Sequence, residues 1–322
     1  MIKTALLTGI TGQDGGYLAK FLLEKGYKVY GTYRRLSTPN FWRLQALEIF
    51  DKVNLIPADI TDGISLIEAV KISDPSEVYN LASQSFVGAS FEQPVHSMNV
   101  TGVGVLNMLE AIRQFNTNIK FYQASTSEMF GADRNGSLNE NSGFNPSSPY
   151  AITKAMTDMY LRMMPSVYGL NTTVMRCTNT FGRKLDTSFF VEYVITSILK
   201  GEKVYVGAPD SVRDYMYIDD HVNAYIKAIE HPEVKGEALN AAPGIGMTNK
   251  EVAFKIAELL KYNKKDIILG KYPPNYPMRP IESDQPFIVL DSSKIKKMLG
   301  WKQEVSFEEG LKKTIDYWKS KM

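Results

Sequence analysis

The chain has 322 residues, with 37 lysines and arginines against 35 aspartates and glutamates and a formal net charge of +2. Near-neutrality argues against a nucleic-acid coat or a membrane-surface protein, either of which carries a basic excess or stripe, and favours a small-molecule partner. The single cysteine, Cys177, excludes an intrachain disulfide and a thiolate metal cluster. No apolar stretch has the length of a bilayer span, so a cytoplasmic protein with a substantial buried core is the default expectation.

The first half alternates short apolar runs with longer amphipathic segments. KTALLTG, KVYGTY, VNLIPAD, EVYNLAS, IKFYQAS and NTTVMRC read as strands, separated by helical segments such as YLAKFLLEKG, LIEAVKIS and TGVGVLNMLEAIRQF. Such alternation predicts an α/β fold, a Rossmann-type doubly wound parallel sheet covered by helices on both faces. Beyond residue 180 the texture changes. GRKLDTSFF, GAPDSVRDYMYIDD and KYPPNYPMRPIESDQP are loops rich in arginine, aspartate, proline and tyrosine, while EALNAAP still reads as a sheet strand. The expected organisation is a nucleotide domain over 1–178 to which 213–242 returns, and a smaller, discontinuous C-terminal substrate domain from 179–212 and 243–322.

The most informative stretch is TGITGQDGG, residues 8–16, between the first strand and the first helix. Gly9 permits a tight turn, Gly12 lets a pyrophosphate approach the backbone, and Gly15 or Gly16 lets the helix pack closely on the sheet, so that phosphates meet the helix N-terminus. The spacing is G-x-x-G-x-x-G, which resembles the extended short-chain dehydrogenase/reductase superfamily. At the end of the second strand, where an NAD enzyme offers an acid to the ribose, stand Thr32, Tyr33, Arg34 and Arg35. Two guanidiniums suit a 2′-phosphate and favour NADP, the alternative being an interface or a solvated loop. Asp59 resembles the superfamily's adenine-contacting acid and could equally be a helix N-cap.

Two further clusters carry the chemistry. In SSPYAITKA, Ser148 can cap a helix and Pro149 suits its first turn, so Tyr150 and Lys154 fall on one helical face. A neighbouring ammonium favours the phenolate of a tyrosine, which could then take a hydroxyl proton while hydride leaves for a nicotinamide. In QASTSEMFG, Thr126 and Glu128 are polar groups at the carboxyl end of a strand, where open α/β sheets place ligands. Their plain reading is a cap or a hydrogen-bonded loop. Their functional reading has Thr126 holding the reacting hydroxyl and Glu128 moving a proton to and from carbon.

TGITGQDGGYLAKFLLEKGY, LASQSFVGASFEQPVHSMNV, FYQASTSEMFG and SPYAITKA together resemble the GDP-mannose 4,6-dehydratase family, closely over the first 165 residues and loosely thereafter. The resemblance implies oxidation of the sugar at C4, loss of water across C5 and C6, and hydride return to C6, with Tyr150, Lys154, Thr126 and Glu128 as the catalytic set. Ser127 stands where thymidine-diphospho-sugar dehydratases carry an aspartate, which leaves Glu128 as both base and acid. The family places the cofactor also on Thr11, Gln13, Asp14, Ile60, Leu81, Ala82 and Ser83. It places the nucleotide sugar on Ser85, Ser127, Asn179, Arg213, Arg279 and Glu282, and implies a homodimer or homotetramer.

The family's N-H-E-S-P is replaced here by Asn179, Thr180, Phe181, Gly182 and Arg183, which bears on the nucleotide base and the sugar. A reductase or epimerase of the same fold therefore stays open beside the dehydratase. His96, His221 and His231 are too scattered for a metal site and read as structural or surface residues.

Overall fold

The computed structural model describes residues 2–131, 136–182, 187, 189–274, 280 and 283–322. Six strands, β1 (Thr4–Thr8), β2 (Lys28–Tyr33), β3 (Asn54–Pro57), β4 (Glu77–Asn80), β5 (Lys120–Ala124) and β6 (Asn171–Cys177), lie within the six apolar runs that predicted them. After β7 (Asn179–Phe181), β8 (Val204–Val206) and β9 (Val212–Tyr217), the strand β10 (Ala238–Ala241) falls within EALNAAP. The large sheet has the order β10-β6-β5-β4-β1-β2-β3, and every pairing in it is parallel. Helices on both faces bury both sides of the sheet, which is why the inner strand β4, and even the edge strand β10, are buried at every residue.

Strand order reverses between β1 and β4, so the loops leaving these two strands diverge and open a crevice at their carboxyl ends. The glycines bring those loops together. Gly9 has φ +70°, and a Cβ there would lie 2.9 Å from the Ala82 nitrogen. A Cβ on Gly15 would lie 2.3 Å from the Gly9 carbonyl oxygen, so only glycine lets the Gln13–Glu24 helix sit this close to its own entry loop.

Buried side chains lock the same edge across three strands. Thr8 donates to Asn80, Asn80 Nδ2 donates to Gln123 Oε1 at 2.7 Å, and Gln123 Nε2 donates to the Ala124 carbonyl at 2.8 Å. Every member is satisfied, the condition under which a buried polar chain rigidifies a core.

The smaller lobe contains β7, β9, β11 (Gly246–Thr248), β12 (Ile267–Leu269) and β13 (Phe287–Ile288), with β8 pairing β12 and the others joined around β9. The chain re-enters the large sheet through the Ile218–Glu230 helix and β10; residues 213–217, expected with that return, instead form part of β9 in the smaller lobe. Among the described residues no helix is long and apolar enough to cross a membrane.

The Pro149–Tyr168 helix is started as expected: Ser148 Oγ accepts from the Ala151 N–H at 3.1 Å and Pro149 occupies the first turn. A buried ion pair fixes it laterally. Arg176 on β6, 1 % exposed, donates through Nε and Nη2 to both oxygens of Asp158, at 2.8 and 2.9 Å, and lies 5.3 and 4.9 Å from the ring centres of Phe130 and Phe144. Removing Arg176 leaves the buried Asp158 carboxylate with only the exposed Arg162, whose Nε donates to Oδ1 at 3.0 Å. Arg176→Met should lower stability by about 3 kcal/mol in urea unfolding, whereas opening the exposed Arg113–Glu110 pair with Arg113→Ala should leave the midpoint unmoved. Equal effects would contradict the role given to burial.

Candidate active site

A cleft of about 730 Å³ opens at the carboxyl ends of β1, β4 and β5. Gly9, Thr11, Gly12, Gln13, Asp14 and Gly15 form one wall, Asp59, Ile60, Leu81, Ala82, Ser83 and Ser85 another, and Thr126, Glu128, Tyr150, Lys154 and Asn179 line it as well. Gly12 is the N-cap of its helix with no side-chain bond closing the cap. Those first-turn positions line the cleft, giving a helix N-terminus suited to an anion.

Not every predicted residue is there. Arg34 lines the cleft, but Arg35 is exposed outside the lining. Ser127 is buried beneath it, 3 % exposed. Arg213 is also buried away from the lining, with Nη2 3.0 Å from Asp284 Oδ1 and Nη1 donating to the Val212 carbonyl. Arg279 and Glu282 lie outside the described residues.

The Asp59 carboxylate accepts from the Thr61 N–H at 2.9 Å and the Thr61 hydroxyl at 2.7 Å, while Asp62 is the side chain that caps the following helix. Burial pushes the Asp59 carboxyl up, but the Thr61 bonds and the charges of Arg34 and His96 outweigh it and hold it below its ordinary value.

The strand end after β5 carries Thr126 and Glu128. Thr126 is the N-cap of a short turn over Ser127–Phe130, and its Oγ1 accepts from the Glu128 N–H at 3.2 Å. With that lone pair engaged, the Thr126 hydroxyl keeps its proton as a donor. Lys154 sits one turn along its helix from Tyr150, with Nζ 5.8 Å from the centre of the tyrosine ring. Its ammonium donates to the Ala124 carbonyl at 2.7 Å. Burial pushes the Lys154 ammonium down to about 8.

Several wall residues fall outside the expected site set. Arg43 donates to the Thr11 carbonyl at 3.0 Å and lies 4.0 Å from the centre of the Trp42 ring, and it gives the lining a second arginine in addition to Arg34. His96 and His221, read as structural or surface residues, both line the cleft. Tyr225 donates to Asp14 Oδ2 at 3.1 Å and lies 2.7 Å from His221 Nε2, while His221 Nδ1 meets the Thr180 hydroxyl. The chain is consistent when Nε2 carries the imidazole proton and Nδ1 accepts from Thr180. The spacing of His221 and Tyr225 by four residues on one helix was the available signal. Among the described residues, no three His, Cys, Asp or Glu side chains gather as metal ligands.

The lysine makes a pH test possible. Its folded value of about 8 lies below the 10.5 of the unfolded chain, so between these values the unfolded state binds more protons and stability rises with pH. The destabilising share of Lys154 is therefore full below pH 8 and gone above 10.5. Denaturant unfolding across this range should show the stability of Lys154→Met, relative to the parent, falling as pH rises; a difference independent of pH would contradict a desolvated ammonium.

Comparison with known proteins gives a consistent assignment. The profile of the GDP-mannose 4,6-dehydratase family matches residues 6–314. GDP-mannose 4,6 dehydratase 1 of Arabidopsis thaliana is 35 % identical over 330 aligned residues, covering 98 % of this chain and 89 % of its own. GDP-mannose 4,6-dehydratase of Yersinia enterocolitica is 32 % identical, covering 96 % and 91 %. Among solved structures, UDP-glucose 4-epimerase of Thermotoga maritima with UDP-glucose superposes with a TM-score of 0.88 at 29 % identity, covering 99 % of both chains. UDP-glucose 4-epimerase of Thermus thermophilus, solved with NAD, superposes with a TM-score of 0.86 at 28 % identity, covering 99 % of this chain and 100 % of that one. With the glycine loop, the tyrosine–lysine helix and the Thr126–Glu128 strand end on one cleft, the chain belongs to the GDP-mannose 4,6-dehydratase family.

Proposed function

We propose that the protein converts GDP-mannose to its 4-keto-6-deoxy derivative and water, using NADP. The observation that carries this reading is the convergence of Thr126, Glu128, Tyr150 and Lys154 on the cleft that also holds the glycine loop. The cradle of Gly9, Gly12 and Gly15, with the uncapped helix start, fits a dinucleotide pyrophosphate. Arg34 and Arg43 on the same lining support a 2′-phosphate, and hence NADP. When bound, the nicotinamide supplies reversible storage of a hydride between C4 and C6 of the sugar.

The protein's own groups move the protons. Tyr150, supported by the Lys154 ammonium, accepts the O4 proton as C4 becomes a ketone. Thr126 donates to O4 and orients it. The ketone acidifies the neighbouring C5 proton, and Glu128 removes it. The same carboxyl then delivers that proton to the C6 hydroxyl, which leaves as water. Once C6 has received the hydride, C5 takes a solvent proton by way of Glu128, and Tyr150 releases the O4 proton to solvent, so that both groups are reset. A 4-reductase needs only a proton returned at O4, so a carboxyl on the lining that can act at C5 favours dehydration.

Assembly is read from the surface. Ile152, Met159, Met163 and Val167 on the Pro149–Tyr168 helix are 49, 59, 39 and 57 % exposed. An apolar stripe of this kind supports a homodimer, and with the single buried cysteine a cytoplasmic location. Sedimentation at micromolar concentration should give a dimer that Met159→Glu weakens; a monomeric parent would remove the reading.

The function is tested by incubation with GDP-mannose and catalytic NADP in deuterated water, followed by NMR. The expected product has a C6 methyl group and deuterium at C5. Glu128→Gln should keep the fold and lose at least a hundredfold in turnover, with C5 exchange lost in step, in the range for removing a positioned proton-transfer group. Product without C5 deuterium, or normal exchange in Glu128→Gln, would overturn the assignment.

A further inference from the structure

Gln285 lies in the KYPPNYPMRPIESDQP stretch, where spacing and residue type assign it no role, and outside the cleft lining, yet it touches the residue assigned as the base. It is 0 % exposed, and its Nε2 lies 2.7 Å from the Glu128 carbonyl oxygen and 3.5 Å from Glu128 Oε2. Both neighbours are acceptors, so the carboxamide must present its NH2 end to them, which fixes its orientation on chemical grounds. Its Oε1 is buried without a hydrogen-bond partner among the described residues. A leucine would fill the same space without that cost. What the amide adds is a pair of donors aimed at Glu128.

The other polar group of the Glu128 backbone is held as well, since its N–H donates to Thr126 Oγ1. Glu128 is thus gripped at its N–H by its own strand end and at its C=O by a residue 157 positions later. The segment carrying Gln285 is firmly placed. Ser147 Oγ donates to the Ser283 carbonyl at 2.9 Å, the Leu138 N–H donates to Val289 at 2.9 Å, and the Asp291 N–H donates back to Leu138 at 2.8 Å. On its other side the segment joins the smaller lobe, through β13 pairing with β9 and through Asp284 bound to Arg213.

We infer that Gln285 is the positioning residue for Glu128, through which the smaller lobe sets where the carboxylate stands. The strong bond to the Glu128 carbonyl fixes the turn from which the side chain projects. The second amide proton faces Oε2 and selects the carboxylate orientation. The inference rests on the reading of Glu128 as the base, because only then does its placement govern turnover.

The test compares Gln285→Met, which keeps length and apolar volume without donors, and Gln285→Glu, which keeps shape but offers a donor only when protonated. For both, kcat on GDP-mannose should fall at least tenfold with KM within threefold, and C5 deuterium incorporation should fall with kcat. Lowering the pH from 8 to 6 should raise the activity of Gln285→Glu relative to wild type, and leave Gln285→Met unimproved. A folded variant with kcat within twofold of wild type, or one losing activity wholly through KM, overturns the inference.

A second measurement needs no turnover. Hydrogen–deuterium exchange over residues 127–131 should accelerate at least tenfold in either variant that folds, with the Pro149–Tyr168 helix unchanged; unaltered exchange overturns the contact. If wild type itself makes no 6-deoxy sugar, the assigned function falls, while the exchange result still decides whether Gln285 holds Glu128.

Discussion

The arrangement of the site depends on one buried contact, the Lys154 ammonium against the Ala124 carbonyl at 2.7 Å. Removing a cation from water is costly, and here the acceptor is a main-chain oxygen and not a carboxylate, which is why the ammonium is pushed down to about 8. The same carbonyl accepts from Gln123, which is bonded to Asn80 and so to Thr8. Three strand ends are thereby held in register where they emit the glycine loop, the Leu81–Ser85 wall and the Thr126–Glu128 turn. The Pro149–Tyr168 helix is tied to that edge through Lys154 and, one turn further on, through Asp158 to Arg176. Each tie is a polar group made expensive to displace by its burial.

This construction explains which parts of the molecule were legible in the sequence. The parallel sheet was legible because strands buried on both faces appear as uninterrupted apolar runs, and the dinucleotide cradle because only glycine satisfies both the φ of +70° at Gly9 and the approach at Gly15. Tyr150 and Lys154 were legible because helical periodicity alone places them on one face. Such features are local, so spacing reports them.

The features that were not legible are tertiary. Arg43 reaches the lining from a five-residue helix whose spacing marks nothing. Arg35, paired with Arg34 in the sequence reading, lies exposed outside the cleft lining although its residue type matched the expected chemistry. Arg213 has the charge for a phosphate but is engaged by Asp284, a partner brought to it by strand pairing across 71 positions. Asp59 illustrates the converse: the capping alternative goes to Asp62, three residues on, leaving Asp59 in an Asx-type turn on the cleft wall. His221 and Tyr225 join Asp14 to Thr180, at the place where the family pattern is broken, and only the folded chain shows that the substituted stretch is bonded to the cofactor loop.

The central claim is that the oxidation at C4 and the reduction at C6 are two halves of one internal cycle. It is tested most directly by supplying GDP-mannose deuterated at C4 and locating the label by NMR after turnover with substoichiometric NADP. The account predicts deuterium in the C6 methyl group of the product, with no net change in nicotinamide oxidation state. Label lost from the sugar, or consumption of reduced nicotinamide in proportion to product, would contradict an internal hydride cycle and assign the same residues to a reductase.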